Sequence, residues 1–158
     1  MATSAFRIYN KAKKYLLVGG LDLDAATVRV GLARGASVSN FTLTNWAASV
    51  YKAGVRVSGG GYSAARPVLK TLTGIVVTAV TSGKCMRYDA SDKVWTASAG
   101  TTPLLSIKYL VIGVSNGASG KALGWVHLTD SAFDLAAGNT LTIAWSASGI
   151  FELTGGTT

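Results

Sequence analysis

Cysteine is almost absent: Cys85 is the only one in 158 residues, so no disulfide forms within the chain and no cysteine-rich metal site can be assembled. Beside Met86 in a strand-like stretch, Cys85 reads as a small buried apolar residue rather than a nucleophile. Such cysteine usage fits folding in the cytosol. His127 is the single histidine, so a zinc ion would depend on carboxylates for half its ligands, an uncommon set. Proline occurs only at Pro67 and Pro103. Long apolar runs are missing as well. Tyr15–Leu21, Gly74–Val80 and Leu110–Val114 all fall short of the ~20 residues that cross a bilayer as a helix. Lys11, Lys13 and Lys14 ahead of the first run resemble the charged start of a leader peptide. Gly19 and Gly20 interrupt that run, however, and Asp22 and Asp24 follow without a small-residue cleavage pattern. The chain is therefore expected to stay unexported and to have no membrane partner.

What remains is an apolar, basic chain. Hydrophobic residues make up 49% and charged residues 14%, a balance that supports a packed core and excludes a disordered chain. The length suits one domain, 1–158, with no linker and no repeat. Fifteen Lys and Arg against seven acids leave a net charge of +8. Four of the cations, Arg7, Lys11, Lys13 and Lys14, crowd into one segment and form either a solvated helix face or a surface for an acidic partner. The other cations are scattered, as solubility requires.

From Ala5 to Val18, the residues Phe6, Tyr9, Ala12, Tyr15 and Leu16 recur at spacings of three and four. That spacing predicts a short amphipathic helix, capped by Thr3 or Ser4 and ended by Gly19 and Gly20. Thr27–Arg34 alternates as a half-buried strand does. The period turns helical again over Thr42–Val50 and returns to β over Val55–Ser58. Gly59, Gly60 and Gly61 then make a break that glycine tolerates best. Further strands are expected over Val68–Thr71, Gly74–Thr81, Lys84–Tyr88, Lys93–Ala97, Ser106–Val114, Ala122–Leu128, Thr140–Trp145 and Ile150–Leu153. Turn-prone stretches separate them, notably 82–83, 89–92, 115–120, 136–139 and 146–149. Strands at about ten-residue spacing predict an antiparallel sandwich or barrel, with one or two short helices in the N-terminal third.

Catalytic equipment does not emerge from the pattern. Alternation puts Trp125 and His127 on one side of their strand and Val126 and Leu128 on the other, with no nucleophile and acid fixed beside the histidine. The close pairs Asp22–Asp24, Asp89–Asp92 and Asp130–Asp134 lie at inferred turns and strand edges, where Asp bonds nearby main chain. Ser119–Ala122 and Ser82–Cys85 each contain Gly-Lys. Neither has the first glycine or the following hydroxyl residue of a phosphate loop, and both read as hairpin turns. Lys14–Tyr15 and Lys108–Tyr109 interleave cations with aromatics, but adjacent strand residues point to opposite faces, which disfavours direct nucleic-acid binding. The expectation is a chain without enzymatic activity, cofactor or metal.

Taken in order, several blocks resemble a family of small tailed-bacteriophage virion proteins, of the capsid decoration or cement type. They are Phe6-Arg7-Ile8-Tyr9-Asn10-Lys11; Val28-Arg29-Val30-Gly31-Leu32-Ala33; Gly59-Gly60-Gly61-Tyr62; Tyr88-Asp89-Ala90-Ser91-Asp92-Lys93-Val94-Trp95; Ile107-Lys108-Tyr109-Leu110-Val111-Ile112; and Leu123-Gly124-Trp125-Val126-His127-Leu128. The series closes with Leu135–Ile143 and Gly149–Leu153, and the likeness is loosest between Gly35 and Lys52. The resemblance implies a jelly-roll-like β-sandwich over 21–158 behind a helical segment over 1–20. It further implies a non-enzymatic protein on the virion's capsid surface, made in the bacterial host cytoplasm. The partners it implies are the major capsid protein and further copies of the chain, a trimer suiting a three-fold axis. Arg7, Lys11, Lys13 and Lys14 are the expected capsid contacts, since a basic subunit complements acidic capsid patches. The alternative is a tail or fibre accessory domain, with Trp46, Trp95, Trp125 and Tyr109 as a platform for host surface glycans. A small hydrolase using His127 and one Asp pair is the remaining class.

Overall fold

The computed structural model describes residues 5–23, 27–34, 57–62, 70–80, 85–114 and 120–154. In chain order its first elements are β1 (Arg7–Ile8), α1 (Asn10–Leu17), β2 (Val28–Ala33), β3 (Lys70–Thr71), β4 (Val76–Val80), β5 (Cys85–Asp89) and β6 (Lys93–Thr96). There follow β7 (Leu104–Ile107), β8 (Tyr109–Val114), β9 (Lys121–His127), β10 (Phe133–Leu135), β11 (Thr140–Ile143) and β12 (Phe151–Thr154). The chain is mainly β, as its alternation and turn spacing predict, and every strand pairing is antiparallel. A five-stranded sheet runs β1-β9-β8-β2-β3, and three smaller sheets run β10-β7, β11-β6 and β12-β5-β4.

The large sheet carries most of the core. Val30 pairs with Ile112, and Leu32 with Leu110, which in turn pairs with Val126. These five are buried apolar side chains on one face. On the other face the small residues Gly31 and Ala33 of β2 sit opposite Val111 and Tyr109 of β8, which pair onward with Trp125 and His127. Small residues beside large ones let that row pack level. Every residue of β2 except Arg29 is buried, so β2 is a central strand covered on both faces and not the half-buried strand its alternation predicts.

Two expectations for the elements are corrected. The helix over Ala5–Val18 begins only at Asn10, with Tyr9 as its N-cap residue. Arg7 and Ile8 are instead a strand paired with Trp125 and Gly124, and the amide of Tyr9 extends the pairing to the Leu123 carbonyl at 3.1 Å. The cause is Phe6, whose ring stacks 5.3 Å from Phe151 and lies over Gly124. Holding that ring in the core draws the residues after it along β9. A β-carbon on Gly124 would overlap both the Phe6 ring and the Arg7 carbonyl, so only glycine lets β1 lie this close.

The strand expected over Ser106–Val114 is two, β7 and β8. Ser106 takes a left-handed φ of 60°, and its amide donates to Asp134 Oδ1 at 2.7 Å. Ser106 lies inside β7, which pairs across a register shift with β10, a strand absent from the sequence expectation; the break between β7 and β8 falls at Lys108. The triple-glycine break is observed as expected, with φ of 99°, 60° and 75° at Gly59, Gly60 and Gly61. The expected helix over Thr42–Val50, the caps Thr3 and Ser4, and the 82–83 turn lie outside the described residues. Cys85, expected buried, is half-buried.

Candidate interaction surface

Helix α1 separates its residues by exposure. At about 100° per residue, Asn10, Lys11, Lys13, Lys14 and Leu17 fall on one arc, with Val18 just beyond the last turn. All six are exposed. On the opposite arc Ala12 is buried and Tyr15 and Leu16 are half-buried, with Tyr9 buried just before the helix. Burial pushes the Tyr9 phenol well above its ordinary pKa. The inward arc packs on β9. Lys121 of β9 clamps the far end of the helix. Its Nζ lies 4.2 Å from the Tyr15 ring centre and donates to the Gly20 carbonyl at 2.5 Å.

Three of the four expected contact cations therefore share one exposed helix face. No acidic residue stands in its first turn, and among the described residues none of Lys11, Lys13 and Lys14 has an ion-pair partner. Arg7 is separated from them in role. It lies on β1, with its guanidinium carbon 5.1 Å from the Trp125 ring centre, a cation–π contact that pins it to the sheet. The lysines are joined by two apolar residues of the run Tyr15–Leu21, Leu17 at 87% exposure and Val18 at 67%. The signal was available in the spacing: Leu17 stands three and four residues after Lys14 and Lys13, on the same face.

The remaining candidates resolve into structure. Trp95 is fully buried, and Trp125 and Tyr109 are 8% and 7% exposed, while Trp46 lies outside the described residues. Tyr109 meets Trp125 edge-on at 5.7 Å and stacks on His127 at 4.9 Å, so Trp125 and His127 do share a face. His127 Nδ1 is 4.0 Å from Asp130 Oδ1, beyond a hydrogen bond. Three of the acids hold main chain, but only Asp89 does so locally as the turn reading expects; Asp92 and Asp134 reach residues 53 and 28 positions away. Asp89 accepts from the Ala90 amide at 2.8 Å, Asp92 from the Trp145 amide at 3.2 Å, and Asp134 from Ser106. Among the described residues no three His, Cys, Asp or Glu converge, and no helix is long and apolar enough to cross a membrane.

A second exposed apolar area lies on the β12-β5-β4 sheet. Ala79, Met86 and Leu153 form one cross-strand row, and Val77 shares their face one row away. All four are exposed. On the opposite face Arg87 and Glu152 pair at 3.0 Å. Compared with models of protein families, with curated proteins and with solved structures, the chain has no match in any of the three.

Proposed function

We propose that the chain is a non-enzymatic structural protein of a bacteriophage virion. Within that class it is a capsid decoration or cement protein, a jelly-roll-like sandwich that binds the head exterior and stabilises it. The observation that carries this reading is the outer face of α1, where three lysines with no ion partner among the described residues flank exposed Leu17 and Val18. Such a face suits an acidic protein surface with a shallow apolar depression: the charges steer and fix register, and the apolar pair supplies desolvation. The major capsid protein, presented many times on one lattice, is the partner, and repeated weak contacts add up there by avidity. Contact between copies, three about a three-fold axis, has its support in the uncovered row of Ala79, Met86 and Leu153 with Val77. The tail or fibre reading has less support, because three of its four aromatic residues are buried and offer no open platform.

Purified protein added to heads that lack it should saturate at a fixed number of copies per head and raise the temperature at which the heads open. The triple substitution Lys11→Glu, Lys13→Glu, Lys14→Glu should weaken that binding. At ~0.5–1 kcal/mol per exposed charge the loss is roughly 10- to 100-fold. Failure of the wild-type chain to bind heads would remove the decoration role. Full binding by the triple variant would keep the role and move the contact elsewhere.

A further inference from the structure

A groove of about 580 Å³ opens between the large sheet and β11. Every residue from Leu141 to Ser146 lines it. Successive strand residues point to opposite faces, so a cavity that touches Leu141, Thr142 and Ile143 of β11 in succession runs along the strand's edge and not against one face. It continues past the strand's end over Ala144, Trp145 and Ser146. One edge of β11 is taken by β6, with Leu141 opposite Trp95 and Ile143 opposite Lys93. The pairing phase follows from the Ala97 amide, which donates to the Asn139 carbonyl at 2.9 Å. Two residues on, Leu141 and then Ile143 turn their main-chain groups toward β6. Thr140 and Thr142 therefore turn their N–H and C=O groups the other way, and among the described residues nothing pairs with them there.

The groove's side chains opposite the strand are apolar. Leu110, Val126, Leu128, Phe133 and Ile150 line it opposite the strand, and none of the described lining residues is ionisable. Trp145 keeps its indole N–H for the Ser91 carbonyl at 3.2 Å, so its ring presents an apolar surface. β11 supplies three of the lining residues, Leu141 to Ile143, so at ~3.3 Å per residue its edge is as long as about three extended residues.

The geometry points to β-strand addition at this edge: the groove takes an extended, uncharged segment of a partner protein, apolar at alternate positions. The main chain of that segment pairs with Thr140 and Thr142, and every second side chain enters the groove. A polar or charged occupant would leave its groups without partners against the apolar wall, and a compact one would leave the two threonine amides unpaired. This inference is independent of head binding and is tested without heads.

The probe is a capped peptide, Lys-Gly-Thr-Leu-Thr-Leu-Thr-Leu-Gly-Lys, added to the full chain while amide exchange is followed by NMR. Saturating peptide should slow exchange of the Thr142 amide roughly tenfold or more and leave Leu141 unchanged. The same peptide with serine for each leucine should have no effect. Thr142→Pro removes the outward N–H at a position where an edge strand tolerates proline. That variant should keep the wild-type melting temperature and lose the peptide, while Thr142→Val keeps both. An unchanged Thr142 amide at saturating peptide overturns the inference, as does equal action of the serine peptide. So does a Thr142 amide that is protected in the free chain and exposed on deletion of residues 1–4, because the chain's own N-terminus would then fill the groove.

Discussion

Replacing Gly124 by alanine should loosen β1 from the large sheet. The added β-carbon would stand within contact distance of two groups of different stiffness, the tip of the Phe6 ring and the carbonyl oxygen of Arg7. The ring can rotate aside. The carbonyl belongs to a strand fixed by the pairs Arg7–Trp125 and Ile8–Gly124, so it moves only if the pairing opens. Overpacking of this kind costs about 1–3 kcal/mol. In a chain of this size each kcal/mol lowers the melting temperature by about 2–4 °C, which gives a fall of about 2–12 °C. The loss should be local first: the Tyr9 amide, bonded to the Leu123 carbonyl, should exchange faster than amides of β2 and β8. Phe6→Ala separates the two contacts, since it clears the ring but leaves the carbonyl in place. If Gly124→Ala costs nothing in the Phe6→Ala background, the carbonyl is not the obstacle and the account of β1 is wrong. Because α1 follows β1 directly, the same substitution should also weaken any binding through Lys11, Lys13 and Lys14.

Two further outcomes follow from single residues. Ser106 holds a left-handed φ that costs a non-glycine residue about 1–2 kcal/mol, so Ser106→Gly should raise the unfolding free energy measured by chemical denaturation, whereas Asp134→Ala should lower it by about 1 kcal/mol through loss of the bond to the Ser106 amide. The buried Tyr9 phenol ionises later in the folded chain than in the unfolded one. Its contribution is therefore intact below the ordinary tyrosine value of about 10 and is lost as pH rises above it, by up to about 1.4 kcal/mol per pH unit. Chemical denaturation at pH 9 to 11 should show this slope in the wild type and a shallower one in Tyr9→Phe; equal slopes would contradict it.

Much of the candidate surface could be read before the fold, and part could not. Lys11, Lys13 and Lys14 were visible as a basic group because the helical period around Ala12, Tyr15 and Leu16 leaves those positions outside. Arg7 was grouped with them because it is near in sequence. The structure moves it to a strand and onto Trp125, a residue more than a hundred positions away whose proximity no local pattern encodes. Leu17 and Val18 were missed for a related reason. A helix puts Leu17 on the arc of Lys13 and Lys14 wherever it begins, but grouping Leu17 and Val18 into the apolar run Tyr15–Leu21 hid that placement. The groove beside β11 had no sequence signal, since Leu141, Ile143 and Trp145 look the same whether their strand is central or at an edge.

The sequence by itself determined the β class, the alternation that puts Trp125 and His127 on one side, the three-glycine turn, and the local use of Asp89 as a main-chain acceptor. These depend on side-chain size, polarity and allowed φ, which each residue carries with it. Tertiary structure decided which strands pair: β2 with β8, β6 with β11, β5 with β12, and β1 with β9. It thereby decided where the helix starts and which edge of β11 is unpaired among the described residues. Pairing is made by main-chain N–H and C=O groups, which are nearly identical at every residue. The choice among partners falls to the distant side chains that fit together once the core closes, as Phe6 does over Gly124.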